Sequence, residues 1–290
     1  MNQQPPPGEF TTVAGIRAWV TAQRAGGSRI GFVPTMGSLH EGHLALVDAA
    51  RAVSDVVVMS IFVNPLQFGP SEDFSRYPRD LPRDRTLAAS RGVDAIFLPD
   101  VSVMYQPGSD TRVVPGPGAD RWEGEVRPGH FTGVLTVVAK LFHLVTPDVA
   151  VFGQKDAQQA ALIRRMVRDL DWPVALVVAP TTREPSGLAL SSRNSYLSAE
   201  DRLQAVGLSA ALRAAHEAWR GGETAGDRLV AVARRVLEVY PGVSPEYISA
   251  VEPEALAPVE TVGAGCLMLV AARVGSTRLI DNIVFGEGIP

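Results

Sequence analysis

The chain of 290 residues contains a single cysteine, Cys266. One cysteine provides neither a disulfide framework nor a zinc cluster, and in an apolar run it is expected to be a small buried side chain. Long apolar runs are also lacking, since a stretch such as Val56 to Val63 is far too short to span a bilayer. Residues 1–8 are polar and proline-rich, without the charged-then-apolar pattern of a signal peptide. These absences predict a soluble cytoplasmic protein with no membrane partner.

A large excess of charge of one sign is lacking too. The formal net charge is -4 and the pI is near 5.8. Proteins that bind a nucleic-acid backbone usually carry a basic face and a high pI. The balance therefore argues against RNA or DNA as the main partner. With 46% hydrophobic and 20% charged residues, the composition is that of an ordinary globular protein.

In the first part of the chain, short β-rich runs alternate with helical patterns. Strands are predicted at 29–33, 55–63, 94–98, 149–152 and 174–178, and helices at 44–53, 84–90, 131–145 and 157–169. Alternation of this kind predicts an α/β fold in which helices cover both faces of a parallel sheet.

The pattern changes near Thr181, where we place a domain boundary between residues 1–181 and 182–290. The second part contains predicted helices at 199–220 and 226–239 and predicted strands at 246–251, 266–274 and 278–285. Gly275-Ser276-Thr277 is typical of a hairpin turn between the last two strands. A smaller α+β domain is expected there.

The loop after the first predicted strand carries two histidines, His40 and His43, and two glycines, Gly37 and Gly42. His40 and His43 stand three residues apart at a predicted helix N-terminus, so they can share a face. Free N–H groups at such a terminus attract anions. The loop lacks the Gly-x-Gly-x-x-Gly and Gly-Lys-Ser/Thr motifs, and its spacing is not that of a His-Glu-x-x-His zinc site. It predicts a polyphosphate site centred on the two histidines, in which Glu41 has no chemical role that we can name.

Three further segments carry polar groups at strand ends or at the domain junction, where ligands of parallel sheets bind. They are residues 62–68, with the amides Asn64 and Gln67; residues 153–159, with Lys155 and Asp156; and residues 187–194, with Ser191-Ser192-Arg193. Taken singly, each is equally typical of a turn, a capped helix or a polar linker. Together with the two histidines they are far more specific than any one of them, and they indicate a site for the phosphates of a nucleotide and for a small polar substrate with an alkyl body.

In their order along the chain, these segments closely resemble the pantothenate synthetase family, the pantoate–β-alanine ligases of coenzyme A biosynthesis. The matching segments are Pro34 to Gly37 with Leu39 to His43; Ser60 to Pro65 with Gln67-Phe68; Tyr77-Pro78-Arg79; His130-Phe131 with Gly133-Val134; Phe152-Gly153 with Lys155-Asp156 and Gln158-Gln159; Leu188-Ala189 with Ser191 to Asn194; and Thr277 to Asn282. The resemblance extends from about residue 10 to residue 285.

The resemblance implies a Rossmann-like domain, similar to class I aminoacyl-tRNA synthetases and nucleotidyltransferases, followed by a smaller C-terminal domain in a homodimer. It implies two chemical steps. The carboxylate of pantoate attacks the α-phosphorus of ATP to give pantoyl adenylate and pyrophosphate, and the amine of β-alanine then displaces AMP. The substrates would be pantoate, β-alanine and ATP, with Mg²⁺ as the accompanying ion.

The resemblance also implies roles for individual residues. It assigns catalytic phosphate contacts to His40, His43, Lys155, Ser191, Ser192 and Arg193. It assigns further nucleotide contacts to Pro34, Met36, Gly153 and Asp156, and a Mg²⁺ contact to Asp84. It assigns hydrogen bonds with pantoate to Gln67 and Gln159, packing on its methyl groups to Pro34, Met36 and Phe62, and surrounding positions to Asn64, Tyr77, Glu123, Arg127 and His130.

Some positions depart from the family pattern. They are Gln154, where glutamate is expected; Ala157, where an aromatic residue is expected; Leu190 for methionine; Ser186 for aspartate; and Arg83 beside Asp84. The departures bear on nucleotide affinity and loop dynamics rather than on the type of reaction.

Three other functions remain open from the sequence. A nucleotidyltransferase would join AMP to a small phosphorylated substrate, which requires basic residues where Met36, Phe62 and Gln67 stand. An aminoacyl-tRNA synthetase would need a longer chain and an RNA-binding surface. A non-catalytic nucleotide-binding module would have little use for Lys155 together with both histidines.

Overall fold

A computed structural model describes residues 6–70 and 72–289. The absence of a signal pattern, inferred from residues 1–8, therefore concerns residues that lie mostly outside it. The chain forms two compact units, one extending through Gly153 and including Leu162–Ala179, the other comprising Gln154–Ala161 and the residues from Pro180 onward. Residues 154–161 thus group with the second unit although they precede the predicted boundary at about residue 181. Within the described ranges, no helix has the length and apolar character needed to cross a bilayer.

Parallel strands form the six-stranded sheet of the first unit. They are β1 (Gly8–Phe10), β2 (Ile30–Thr35), β3 (Val56–Ile61), β4 (Ala95–Phe97), β5 (Val149–Gly153) and β6 (Ala175–Ala179), in the spatial order β1-β4-β3-β2-β5-β6. From β2 the chain proceeds to β3 and β4 on one side, and then crosses to β5 and β6 on the other. The strand order therefore reverses between β2 and β5, and a ligand crevice is expected beyond Thr35 and Gly153 at their carboxyl ends.

Helices cover both faces of this sheet. They are α1 (Val13–Ala25), α2 (Glu41–Arg51), α3 (Leu81–Ser90), α4 (Val101–Met104), α5 (Glu123–Val126), α6 (His130–Val145) and α7 (Ala157–Asp169). Side chains alternate along the strands: Phe32 and Val58 join the core that contains α1 and α6, whereas Val33 and Val57 join the core that contains α2 and α3. The predicted parallel sheet with helices on both faces is confirmed.

The second unit contains α8 (Ala199–Arg220) and α9 (Gly226–Leu237), followed by the antiparallel sheet β7 (Val243–Val251), β8 (Leu267–Val274) and β9 (Thr277–Val284). Val274 pairs with Thr277, so Gly275 and Ser276 form a two-residue turn, and the predicted hairpin is confirmed. Gly275 has a φ of 56°, which suits the turn. Cys266 precedes β8 and is only partly buried against this core, contrary to the expectation of a buried side chain.

Candidate active site

The loop that follows β2 has an unusual backbone. Gly37 has a φ of 81° and Ser38 a φ of 52°, so both lie in the left-handed region. The Thr35 hydroxyl stabilises the start of the loop: it donates to the carbonyl oxygen of Ser60 (2.7 Å) and accepts from the N–H of Gly37 (3.2 Å). Because a left-handed serine is disfavoured, other contacts must hold this conformation.

Asp84, in the first turn of α3, supplies those contacts. Its carboxylate accepts from the N–H groups of Ser38 (2.9 Å) and Leu39 (2.7 Å), and the residue is only 2% exposed. A Cβ on Gly37 would lie 2.9 Å from Asp84 Oδ2, so only glycine fits beside the carboxylate. Asp84 therefore fastens the loop that leads to His40.

Asp84 was predicted to contact Mg²⁺, and the structure shows that its carboxylate also has a role within the protein. Both carboxylate oxygens are bonded to the loop and the group is buried. Within residues 6–70 and 72–289, no three His, Cys, Asp or Glu side chains come together as a metal-binding group.

The two histidines lie at the N-terminus of α2. His40 is the N-cap residue, and its Nδ1 accepts from the N–H of Gly42 (3.2 Å). In a neutral His40 ring the proton is then on Nε2, on the opposite side of the ring from Nδ1. The rings of His40 and His43 are in contact: their centroids are 4.1 Å apart, and their planes are tilted by 40°. The start of α2 thus combines paired imidazoles with the positive end of a helix dipole, as a phosphate site requires.

Glu41, for which the sequence provides no chemical role, forms an ion pair on the surface. Its carboxylate pairs with Arg91 at 2.5 Å, and Arg91 also binds Asp48 at 2.7 Å. The Glu41 side chain is 61% exposed, so the pair is a surface contact between α2 and the end of α3.

The predicted amides meet on the short turn that follows β3. Asn64 is 1% exposed, and its Nδ2 donates to Gln67 Oε1 and to the carbonyl oxygen of Gly133, each at 3.1 Å. The Tyr105 hydroxyl donates to Asn64 Oδ1 (2.8 Å). Asn64 is therefore a buried scaffold residue, and it fixes the Gln67 amide, whose Nε2 lies 3.1 Å from Met36 Sδ. The predicted neighbours Gln67 and Met36 are in contact.

Gly133 lets helix α6 approach this turn closely. A Cβ at this position would stand 2.1 Å from the carbonyl oxygen of Leu66 and 2.6 Å from the backbone nitrogen of Gln67. No real Cβ contacts are this short, so any other residue would push the turn away. Gly133 belongs to the segments that carry the family resemblance but has no role predicted from it, and no local sequence pattern marks Tyr105.

His130 and Arg127 converge on the backbone of the same turn. His130 Nδ1 donates to the carbonyl oxygen of Gln67 (2.8 Å), and its Nε2 accepts from Arg127 Nη1 (3.1 Å). Burial and the Arg127 charge lower the pKa of His130 to about 4, so the ring is neutral. Burial alone would raise the pKa of Glu72. The hydrogen bond from Arg127 (3.0 Å) and the positive charge of Arg127 oppose this effect, and the pKa of Glu72 is lowered overall.

In the second unit, the predicted Lys155 lies in a short turn over Gln154–Asp156 just before α7. Lys155 Nζ is 3.6 Å from Asp156 Oδ1, and both side chains remain partly accessible. Asn282 of β9 holds the turn: its Nδ2 donates to the carbonyl oxygens of Gln154 and Lys155, each at 2.9 Å, and its Oδ1 accepts from Gln154 Nε2 (2.9 Å). Gln159 is partly buried in the first turn of α7.

The predicted Ser191-Ser192-Arg193 loop lies beyond a small hairpin in which Arg183 bridges to Ala189. Ser191 Oγ accepts from the N–H of Arg193 (3.3 Å), and Asn194 Nδ2 donates to the carbonyl oxygen of Ala189 (3.0 Å). Arg183 makes a two-pronged, almost fully buried ion pair with Asp281, at 2.6 and 3.0 Å. All three predicted loop residues are partly accessible, as ligand contacts must be.

Known proteins match this chain over nearly its whole length. The family model described as pantoate-beta-alanine ligase matches residues 9–284. A pantothenate synthetase of Acidobacterium capsulatum is 53% identical over 287 residues, which covers 95% of this chain and 96% of that one. A crystal structure of pantothenate synthetase from Thermus thermophilus superposes with a TM-score of 0.91 at 50% identity, covering 98% of this chain and 100% of that chain.

The chain belongs to the pantoate–β-alanine ligase family.

Members of this family are ligases that use ATP, and the resemblance drawn from the motifs is confirmed. One similar structure bears directly on the substrates. The pantoate–β-alanine ligase of Francisella tularensis was crystallised in complex with Beta-gamma ATP and Beta-alanine. It is 33% identical, with a TM-score of 0.78, and covers 97% of this chain and 99% of that one. The individual roles of the site residues in this ligase-family chain remain predictions, with the contacts above as their structural setting.

Proposed function

We propose that this protein condenses pantoate with β-alanine to form pantothenate, at the expense of ATP, through a pantoyl adenylate. Family membership supports the ligase reaction. The observation that carries the site assignment is the paired His40 and His43 at the start of α2, on a loop fastened by a buried carboxylate. Such a site favours the phosphates of ATP over a neutral ligand.

In the first step, a carboxylate oxygen of pantoate forms a bond with the α-phosphorus of ATP, and the bond from that phosphorus to the bridging oxygen breaks. Pyrophosphate leaves with the electron pair. Negative groups approach one another in this step, so cationic and N–H donors must stabilise the charge that builds up. We assign this task to His40, His43, Lys155, Ser191, Ser192 and Arg193, which are the residues that the family resemblance marks for it. Gly153 and Asp156 are assigned to the nucleoside part of ATP.

In the second step, the free amine of β-alanine attacks the acyl carbon of pantoyl adenylate. The bond between that carbon and the AMP oxygen breaks, AMP leaves, and the nitrogen loses one proton to water. A mixed anhydride is open to hydrolysis, so the acyl group must be shielded until the amine arrives. Pro34, Met36 and Phe62 offer apolar surface for the pantoate methyl groups.

Gln67 and Gln159 are assigned to hydrogen bonds with pantoate. For Gln67 the assignment is supported by its contacts. Asn64 donates to the Gln67 amide oxygen and to the carbonyl oxygen of Gly133. His130 and Arg127 donate to the carbonyl oxygen of Gln67 itself. An amide fixed in this way loses little conformational entropy when it binds a polar substrate. The polar groups of His130 and Asn64 already form hydrogen bonds within this turn. We therefore propose that both residues position the pantoate site rather than contact the substrate.

A nucleotidyltransferase reaction is the second candidate, and the first-unit contacts disfavour it. Its acceptor would carry a phosphate and would need nearby cationic groups. Met36 and Gln67 contact each other, and Arg127, which reaches the carbonyl oxygen of Gln67, is bound to Glu72. Neutral and charge-compensated groups of this kind suit an alkyl hydroxy acid better than a phosphate.

The assay that tests the reaction follows labelled pyrophosphate into ATP without β-alanine. We expect exchange only when pantoate is present. With β-alanine added, AMP and pantothenate should form in equal amounts, and ¹⁸O from the pantoate carboxylate should appear in AMP. Release of ADP and phosphate, or exchange without pantoate, would overturn the adenylate assignment.

Three finer features are also proposed, supported by the resemblance alone. The protein is a homodimer, it acts in the cytoplasm, and Mg²⁺ accompanies the nucleotide. Light scattering of the purified protein tests the first, with a monomer at micromolar concentration as the contrary result. Fractionation of cells that express the chain tests the second, and titration of activity with Mg²⁺ tests the third.

A further inference from the structure

The motif that ends in Asp281-Asn282 belongs to the resemblance, but no chemical role attaches to it. Asn282 is 3% exposed and lies in the interior of β9, paired with Leu269 of β8. A buried amide has to satisfy its donors and its acceptor, and a strand offers neighbouring backbone groups for that purpose. The Asn282 side chain instead reaches the turn that carries Lys155.

Both amide protons of Asn282 are used on that turn. Nδ2 donates to the carbonyl oxygens of Gln154 and Lys155, each at 2.9 Å, and these carbonyls flank the Cα of Lys155. Oδ1 accepts from Gln154 Nε2 at 2.9 Å, which fixes the orientation of the amide and leaves Nδ2 facing the carbonyls. The backbone from which the lysine side chain extends is thus held on both sides.

The preceding residue, Asp281, anchors a second functional segment to the same strand. Its carboxylate binds Arg183 through both oxygens, and Arg183 also donates to the carbonyl oxygen of Gly187 (3.2 Å). Asp281 Oδ1 further accepts from the N–H of Asn282 (2.8 Å). Consecutive residues of β9 therefore hold the Lys155 turn and the hairpin that leads to Ser191.

We propose that Asn282 is a positioning residue that sets Lys155 for phosphate contact, with Asp281 as its fixed support. The inference rests on the proposed function, since it concerns the role of Lys155 in the transfer to pantoate. A displacement of about 1 Å at a catalytic group can cost about 100-fold in rate. Loss of Asn282 should therefore lower turnover in the pyrophosphate exchange and leave the KM for pantoate unchanged.

The test is a double-mutant cycle between Asn282→Ala and Lys155→Ala, measured by pantoate-dependent pyrophosphate exchange on folded protein. Asn282→Ala alone should reduce exchange by about 10- to 100-fold. In the Lys155→Ala background, the same change should cost less than about threefold, because the group it positions is gone. Asn282→Asp, which keeps the shape but removes both donors, should behave like Asn282→Ala.

Arg278→Ala is the matched control. Arg278 lies on the same strand, four residues before Asn282, and the substitution removes its ion pair with Glu246 (2.6 Å). Its exchange rate per folded molecule should stay near that of the unmodified protein.

Equal losses in both Lys155 backgrounds would show that Asn282 acts through general stability, and would overturn the inference. So would failure of both Asn282 variants to fold, or a rise in the pantoate KM without a fall in turnover. Absence of exchange in the unmodified protein would instead overturn the proposed function.

Discussion

The substitution Asp84→Asn distinguishes two roles of Asp84, as an anchor of the loop after β2 and as a ligand of Mg²⁺. The substitution keeps the size and shape of the side chain but replaces one carboxylate oxygen with an NH₂ group. Ser38 N and Leu39 N lie 2.9 and 2.7 Å from the two oxygens, so one of these N–H groups loses its acceptor and faces a donor. The change therefore acts first on the loop that leads to His40.

The size of the effect follows from the contacts. A buried N–H without an acceptor costs about 1–3 kcal/mol, and the remaining bond loses about 1 kcal/mol with its charge. The loop also stores about 1–2 kcal/mol in the left-handed backbone of Ser38, which the anchor must offset. We expect the loop to be destabilised by about 2–4 kcal/mol. Relaxation by about 1 Å at His40 would lower turnover by about 100-fold.

The assay measures pantoate-dependent pyrophosphate exchange across a range of Mg²⁺ concentrations, with thermal unfolding alongside. Turnover and Tm should both fall, while the Mg²⁺ concentration that gives half-maximal rate should stay unchanged. Asp80→Asn makes the same chemical change at the N-cap of the same helix, where Asp80 accepts from the N–H of Arg83. Asparagine is as good an N-cap, so this control should change neither quantity.

The reasoning would be refuted by a specific result. If Asp84→Asn raises the half-maximal Mg²⁺ concentration by about tenfold or more and leaves Tm intact, the carboxylate is a metal ligand. The bonds to Ser38 and Leu39 would then be incidental to its function.

Three further predictions follow from the site. Gly133→Ala should raise the pantoate KM about 10- to 100-fold, because the new Cβ would lie 2.1 Å from Leu66 O and displace the turn that carries the substrate amide. His130 should make folding pH-dependent: its pKa is about 4 in the folded protein, so the unfolded chain binds the extra proton below about pH 6.5. About 3 kcal/mol of stability should be lost between pH 6.5 and 4, as measured by urea unfolding. Lys155→Ala and His43→Ala should each lower turnover by roughly 100-fold or more with circular dichroism unchanged.

Each of these has a control or a contrary outcome. Gly116→Ala adds a methyl group where no atom lies within 4 Å and should leave the pantoate KM as it is. If Gly133→Ala does the same, helix α6 does not constrain the turn. His130→Gln should flatten the stability profile between pH 6.5 and 4.5, and an unchanged slope would assign the proton to another group. Near-normal turnover in Lys155→Ala would move the phosphate site elsewhere.

Much of the fold could be predicted from the sequence because its main elements are strongly patterned. Strand β3 and helix α6 can each be predicted from their own apolar residues, without knowledge of the elements they pack against. Helix α1 was missed, although Thr12 caps it by accepting from the N–H of Gly15 (3.1 Å). Only Ile16 and Val20 are fully buried on it, so its apolar stripe is too narrow to stand out. Strand β1 has three residues and forms only by pairing with β4, more than 80 residues later.

The same distinction applies to the site. His40 and Lys155 could be predicted as site residues because each lies in a short polar segment that follows a predicted strand. The anchoring roles of Asp84 and Asn282 could not be predicted, since Asp84 lies 45 residues after Leu39 and Asn282 lies 127 residues after Lys155. Which distant side chain reaches a loop depends on packing between elements, and no local spacing encodes that.

Residues that contact phosphate and residues that anchor a loop differ in what their loss does to turnover and stability. Measuring both quantities therefore distinguishes the two roles. A partly accessible group such as Lys155 acts on the charge of the transition state, so its loss should lower turnover with little change in stability. A buried anchor such as Asp84 has desolvated bonds on both sides, so its loss should lower stability and turnover together. Variants of the anchors should therefore fall on a line relating the loss of Tm to the loss of turnover, and variants of the phosphate ligands should fall off it. An anchor off that line acts on substrate directly, and its contacts within the protein do not explain its role.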